Sequence, residues 1–180
     1  MFAVSIKKNI FLTGAPSSGK TTVIKKIIEK LPIPANGFYT EEERINDRRT
    51  GFLMKTLDGQ KAYLAHQDIA SLNRIRRYGV SIENIEDIAV PSIQPSDSHI
   101  VILDEIGKME CFSERFREAV LHALDSDNIV VGTITFGGDD FIMRIKSRDD
   151  IEITAVTRAN RDKLPDMLLK KISHVMETGR

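Results

Sequence analysis

Gly14-Ala15-Pro16-Ser17-Ser18-Gly19-Lys20-Thr21 follows the short apolar run Ile10-Phe11-Leu12 and opens the amphipathic stretch Thr22 to Leu31. Its spacing is G-x-x-x-x-G-K-[ST], the P-loop pattern. Gly14 and Gly19 allow backbone angles and a close approach that a side chain would block, so that successive N–H groups can turn inward around a phosphate. Lys20 adds a mobile charge for the outer phosphate oxygens, and the Thr21 hydroxyl is a ligand type suited to Mg²⁺. The helix beginning there points its positive end at the same place. The flanks agree with this: Ile10 to Thr13 reads as a buried strand, and Val23, Ile24, Ile27, Ile28 and Leu31 recur at helical spacing before Pro32 and Pro34.

Outward from this stretch, 180 residues with 41% hydrophobic content fit one compact domain, 1–180. One cysteine excludes an internal disulfide and a Cys-based zinc site. Residues 1–20 carry Lys7, Lys8 and Lys20 without an apolar signal region, and no run approaches a membrane span, so a soluble cytoplasmic protein, a monomer, is expected. Net charge is zero, which argues against a dedicated nucleic-acid binder. The charge is unevenly spread: residues 1–30 hold six Lys against Glu29, and residues 81–110 hold seven acids against Lys108. A basic phosphate cradle facing an acidic metal side would produce that asymmetry.

Gly37 to Thr40, Gly51 to Thr56 and Ala62 to Ala65 read as short strands separated by a charged turn, Glu41 to Arg49, and by the hairpin pair Asp58-Gly59. Ser81 is placed to cap a helix carrying Ile82, Ile85, Ile88 and Ala89, ending before Pro91. His99 to Leu103 is a continuous apolar strand ending at Asp104-Glu105. Ser113 then caps a helix with Phe112, Phe116, Val120 and Leu124 on one side. A strand at 129–134, a short helix at 139–146, a strand at 151–156 and a closing helix at 162–175 complete the chain. Alternating β and α elements predict an α/β fold, doubly wound on a mainly parallel sheet, with a small antiparallel excursion.

Four apolar residues followed by Asp at a strand's carboxyl end form the Walker B pattern, at the edge where open α/β sheets bind ligands. Asp104 is therefore the expected Mg²⁺ partner of Thr21. Glu105 points to the other side of the strand and is a candidate general base that polarises a water. Arg48, Arg49, Arg144, Arg148, Arg158 and Arg161 are candidate transition-state cations, Arg48 or Arg49 being favoured. The four His are scattered, Cys111 has no nearby base, and no Asn/Thr-Lys-x-Asp motif demands guanine.

GAPSSGKTT, GFYTEEE, RRTGF, VILDEIGKMECFS and TRANRDKLPD, in this order and spacing, resemble the small P-loop nucleoside-triphosphatase family called cancer-related NTPases. The resemblance implies a RecA-like core and Mg²⁺-dependent release of phosphate from ATP, GTP, CTP and UTP with little base discrimination. It places the phosphate site on Gly14 to Thr21; by the chemistry above, Lys20 and Glu105 are the expected catalytic residues and Thr21 and Asp104 the expected metal ligands. A second nucleotide-contacting segment falls on Ile102, Leu103, Asp104, Glu105, Ile106, Gly107 and Lys108. Ser17 stands where the family commonly has Gly. Two alternatives stay open: a small-molecule or nucleotide kinase with region 37–66 as lid, and a nucleotide-switched module that binds RNA or protein through Arg74 to Arg77.

Overall fold

The structure, a computed structural model, describes residues 7–178. Strand β1 (Asn9–Thr13) is buried along its whole length. Phe11 packs into one apolar cluster, whereas Ile10 and Leu12 pack into another on the opposite side of the sheet. The same division recurs on β7 (Ile100–Ile106), where Val101 and Leu103 face the first cluster and Ile100 and Ile102 the second. A strand apolar on both faces needs a cover on both, and helices supply it.

On one face lie α1 (Lys20–Ile28), through Val23, Ile24 and Ile27, and α6 (Leu164–Thr178), through Leu164, Leu168, Ile172 and Val175. On the other lie α4 (Glu114–Asp125), through Phe116, Val120 and Leu124, and α5 (Asp140–Lys146), through Phe141, Ile142 and Ile145. They are joined there by a helical run made of α2 (Ile82–Asn84), a π-helical turn Ile85–Ala89 and α3 (Val90–Ser92). No helix among the described residues is long and apolar enough to cross a membrane.

One nine-stranded sheet runs β5-β6-β4-β3-β2-β7-β8-β1-β9. The pairs β2·β7, β7·β8, β8·β1 and β1·β9 are parallel, with β2 Ala35–Ile45, β8 Val130–Ile134 and β9 Ile151–Ala155. The rest is antiparallel: β3 (Arg48–Thr56), β4 (Lys61–His66), β5 (Arg74–Ile75) and β6 (Tyr78–Val80). The antiparallel part is therefore not a small excursion but a continuation of the same sheet past β2. Strand β8 separates β1 from β7, which sets the P-loop and Asp104 on either side of Thr133.

Several boundaries differ from expectation. The charged stretch 41–49 is not a turn: β2 and β3 run through it, and only Asn46 and Asp47, both at positive φ, turn the chain. Ion pairs hold the charges: Glu41 with Lys55 and Glu42 with Arg49 across to β3, Glu41 also with Lys25 on α1, and Glu42 with Arg44 along its own strand. The helix capped by Ser81, whose hydroxyl accepts from Asn84 N at 3.2 Å, does not stop before Pro91. The π turn widens the ladder, so Val90 N donates to Ile85 O and Pro91 is taken up as the second residue of α3. Phe112 lies before the cap of α4 and is exposed, not on its packed face. Strand β7 continues through Asp104-Glu105 to Ile106, with its register to β8 shifting between Leu103 and Ile106.

Candidate active site

The loop after β1 needs its glycines. Gly14 has φ 146, and a Cβ there would lie 2.8 Å from Val156 O; Gly19, with φ 103, is the left-handed residue that launches α1. Ser17 also takes a left-handed φ, 61, which glycine would adopt without strain. The first turn of α1 has neither a side-chain cap nor an acidic residue, so its N–H groups are left for an anion. Lys20 folds back over the loop. Its Nζ donates to Gly14 O at 3.2 Å and stands 3.9 Å from Glu105 Oε2.

Asp104 is 1% exposed, and its Oδ1 accepts from the Thr133 hydroxyl at 2.5 Å. Its Oδ2 is buried without a hydrogen-bond partner among the described residues. Burial pushes this carboxyl above its ordinary range, while the hydroxyls of Thr133 and Thr21 pull the other way. An orphaned carboxylate oxygen beside a threonine hydroxyl fits a hard divalent cation that keeps most of its waters and takes few protein ligands. Glu105, half-buried, is pushed up to about 7, chiefly by burial and further by Asp104, against the opposing charge of Lys20. Glu110, 4% exposed, is pushed up to about 8 by burial and then by Glu105. A Cβ on Gly107 would meet Glu110 Oε2 at 2.7 Å and Glu105 Oε1 at 3.1 Å, so the two carboxyl groups flank one glycine.

Lys20, Thr21, Glu105, Gly107 and Glu110 line a cavity of about 830 Å³, whereas Asp104 and Thr133 are buried behind its wall. From the sequence expectation it brings together Gly14, Pro16, Ser17, Gly19, Lys20, Thr21, Glu105, Gly107 and Lys108. Ala15 and Ser18 complete the loop without lining the cavity, and Ile102, Leu103 and Ile106 are fully buried in the sheet, so that only their backbone bears on the site. Of the arginines, Arg49 and Arg76 reach the cavity wall, whereas Arg48 is exposed and Arg148 is paired with Asp125 and Asp150. Arg74, Arg76 and Arg77 are exposed, and two of them donate to backbone carbonyls, Arg74 to Ile69 O and Arg77 O and Arg77 to Arg49 O.

The profile of a family described as NTPase matches residues 9–169. The chain belongs to that family. It is 42% identical over 173 residues, 95% of this chain and 94% of the relative, to the nucleoside-triphosphatase THEP1 of Thermotoga petrophila. It is 35% identical to the cancer-related nucleoside-triphosphatase of Homo sapiens, covering 89% of this chain and 95% of that one. Among solved structures it resembles THEP1 of Aquifex aeolicus with a TM-score of 0.83 at 34% identity, over 91% of this chain and 98% of that one. The mixed sheet with helices on both faces is thus a P-loop NTPase fold.

Sequence reasoning missed three parts of this candidate site. Glu110 belongs to the motif DEIGKME, yet no local pattern marks its burial against Glu105. Thr133, on β8, supports Asp104 only because the sheet order puts β8 beside β7. The far wall, Phe52 and Tyr78 edge to face at 5.3 Å beside the expected Arg49, comes from β3 and β6, which come together only through β4 between them in the sheet. Burial pushes the Cys111 thiol up to about 12, which fits an inert core residue.

Proposed function

We propose that the chain hydrolyses nucleoside triphosphates to diphosphate and phosphate with Mg²⁺ as cofactor and with little preference among ATP, GTP, CTP and UTP, acting as a cytoplasmic monomer. The observation that carries this is the meeting, in one cavity, of Lys20, Glu105 and an anion-receptive helix start, with the orphaned oxygen of Asp104 behind them. In this mechanism the backbone N–H groups of residues 14–21, all but that of Pro16, which has none, hold the β- and γ-phosphates, and Lys20 moves its ammonium from Gly14 O onto their oxygens. Thr21 and Asp104 hold the cation, which when bound supplies charge neutralisation to the phosphates. Glu105 orients the attacking water and takes its proton. Each of these groups addresses phosphate, metal or water, and none addresses a base.

Phosphate release measured across the four triphosphates, with Mg²⁺ and with EDTA, tests this. Rates within roughly tenfold of one another, a discrimination of about 1.4 kcal/mol, are expected with Mg²⁺, and none with EDTA. Lys20→Ala is expected to weaken triphosphate binding and nearly abolish turnover. A hundredfold preference for one nucleotide, or an active Lys20→Ala protein, would overturn the proposal. One observation favours a second route, transfer to an acceptor other than water: the cavity continues past Glu105 to Arg49, Phe52, Ile75, Arg76 and Tyr78. Adding nucleoside monophosphates to the same assay separates the two, because transfer diverts the γ-phosphate from free phosphate to a new diphosphate.

A further inference from the structure

A nucleoside triphosphate whose phosphates lie on residues 14–21 still needs room for its ribose and base. A second cavity, of about 270 Å³, is lined by Gly19, Thr22, Val23, Lys26, Arg161 and Asp162. Gly19 and Thr22 line the larger cavity as well, so the two meet across the first turn of α1. A ligand whose anionic end rests on that turn is led over Thr22 into the smaller cavity.

The outer wall of this cavity is held in place by the strand below it. Val156 N donates to Thr13 O at 2.7 Å, directly under the loop. Asn160 Nδ2 donates to Ala155 O at 2.8 Å, its Oδ1 accepts from Thr157 N at 2.8 Å, and Arg161 N donates to Thr157 O at 3.0 Å. The turn 157–163 is therefore tied to the end of β9, and Arg161 is set against the loop: a Cβ built on Gly19 would lie 3.4 Å from Arg161 Cδ.

We propose that this second cavity receives the ribose and base of the nucleoside triphosphate, with the Arg161 guanidinium stacked on the base; the proposal rests on the triphosphate assignment above. A guanidinium plane stacks on any base, because every base has a π-face. Strong selection between bases needs buried polar groups that the wrong base leaves unpaired. Here the polar side chains are open to water, Arg161 at 45% and Asp162 at 78% exposed. The cavity therefore adds affinity for a base without choosing which one.

The test is titration calorimetry with Mg²⁺ on wild type and Arg161→Ala, using ATP, GTP, CTP, UTP and inorganic tripolyphosphate. Dissociation constants for all four nucleotides are expected to rise together by about five- to tenfold, the low end for a stacking contact open to water. That for tripolyphosphate is expected to stay at the wild-type value, which also establishes that the variant is folded. Unchanged nucleotide affinity beside normal tripolyphosphate binding overturns the base site and leaves the phosphate assignment standing. Tripolyphosphate weakened in step with ATP assigns Arg161 to the phosphates and overturns it too. A loss confined to one nucleotide overturns the stacking. Wild-type protein that binds neither ATP nor tripolyphosphate overturns the phosphate site and the base site together.

Discussion

A carboxylate that accepts a proton from water must be ionised at working pH and yet stand in a partly dry wall. Glu105 is at this balance, its carboxyl raised to about 7 by burial and Asp104 and restrained by Lys20. Its base form grows as pH rises through about 7, so kcat/KM of the wild type is expected to climb from pH 5.5 to 8.5. Glu105→Gln keeps the shape but loses the charge: Mg·ATP affinity is expected to survive, single-turnover hydrolysis to fall roughly 10²- to 10⁴-fold, and the residual rate to lose that pH slope. An unchanged single-turnover rate would remove Glu105 from the chemistry. Glu110 behind it acts on stability. Its carboxyl holds a proton up to about 8 in the folded protein and only to about 4.5 in the unfolded chain, so between those values unfolding releases a proton and stability falls as pH rises. Glu110→Gln is expected to flatten that fall, gaining about 1–2 kcal/mol at pH 8 relative to pH 5 in urea titrations, a fraction of the full shift because Glu105 shares the site. Asp104 and Glu105 were legible because a strand ending in acids is a local signal. Glu110 was not, since burial beside Glu105 is made by the turn at Gly107 and not by spacing.

Elements that begin with a capping residue were legible, and the reason is short range. Ser113 accepts from Phe116 N at 3.1 Å, the cap expected from the sequence, and Asp139, at the start of the expected short helix, accepts from Ile142 N at 3.1 Å. Ser113 does a second task that no local pattern carries: it is 1% exposed, and its hydroxyl donates to Glu86 Oε1 at 2.8 Å, joining α4 to the π turn. Ser113→Ala is therefore expected to cost about 1–2 kcal/mol, the cap together with one hydrogen bond to Glu86, which keeps Arg115, seen as a lower urea midpoint at unchanged m-value. A cost of only a few tenths would mean that water replaces both partners. The misread stretch 41–49 has the opposite cause. Its charges look like a solvated turn along the sequence, but Glu41 finds Lys25 on α1 and Lys55 on β3, partners that appear only after pairing. Pro91 likewise reads as a helix stop until the π turn is seen to relieve it.

At the scale of the whole molecule, the question is whether the antiparallel strands form a unit of their own. One apolar cluster contains Met54, Leu64 and Tyr78 from that side together with Phe11, Phe38, Leu103, Phe116 and Phe141 from the parallel side. Neither half can open without exposing the other's apolar surface, and each large side chain so exposed costs about 1.5–3 kcal/mol. The chain is therefore expected to unfold in one cooperative transition. Because the proposed phosphate site is built from β1, α1 and β7, which all belong to that unit, ligand binding must act on the whole of it. At a hundredfold excess over its dissociation constant, Mg·ADP adds about 2.7 kcal/mol, which for a domain of this size raises Tm by about 5–10 °C. Scanning calorimetry is expected to show one peak that moves by that amount, with Lys20→Ala or EDTA removing the shift while leaving the peak single. Two peaks, of which Mg·ADP moves only one, would make β3 to β6 a separate unit, in spite of the shared sheet.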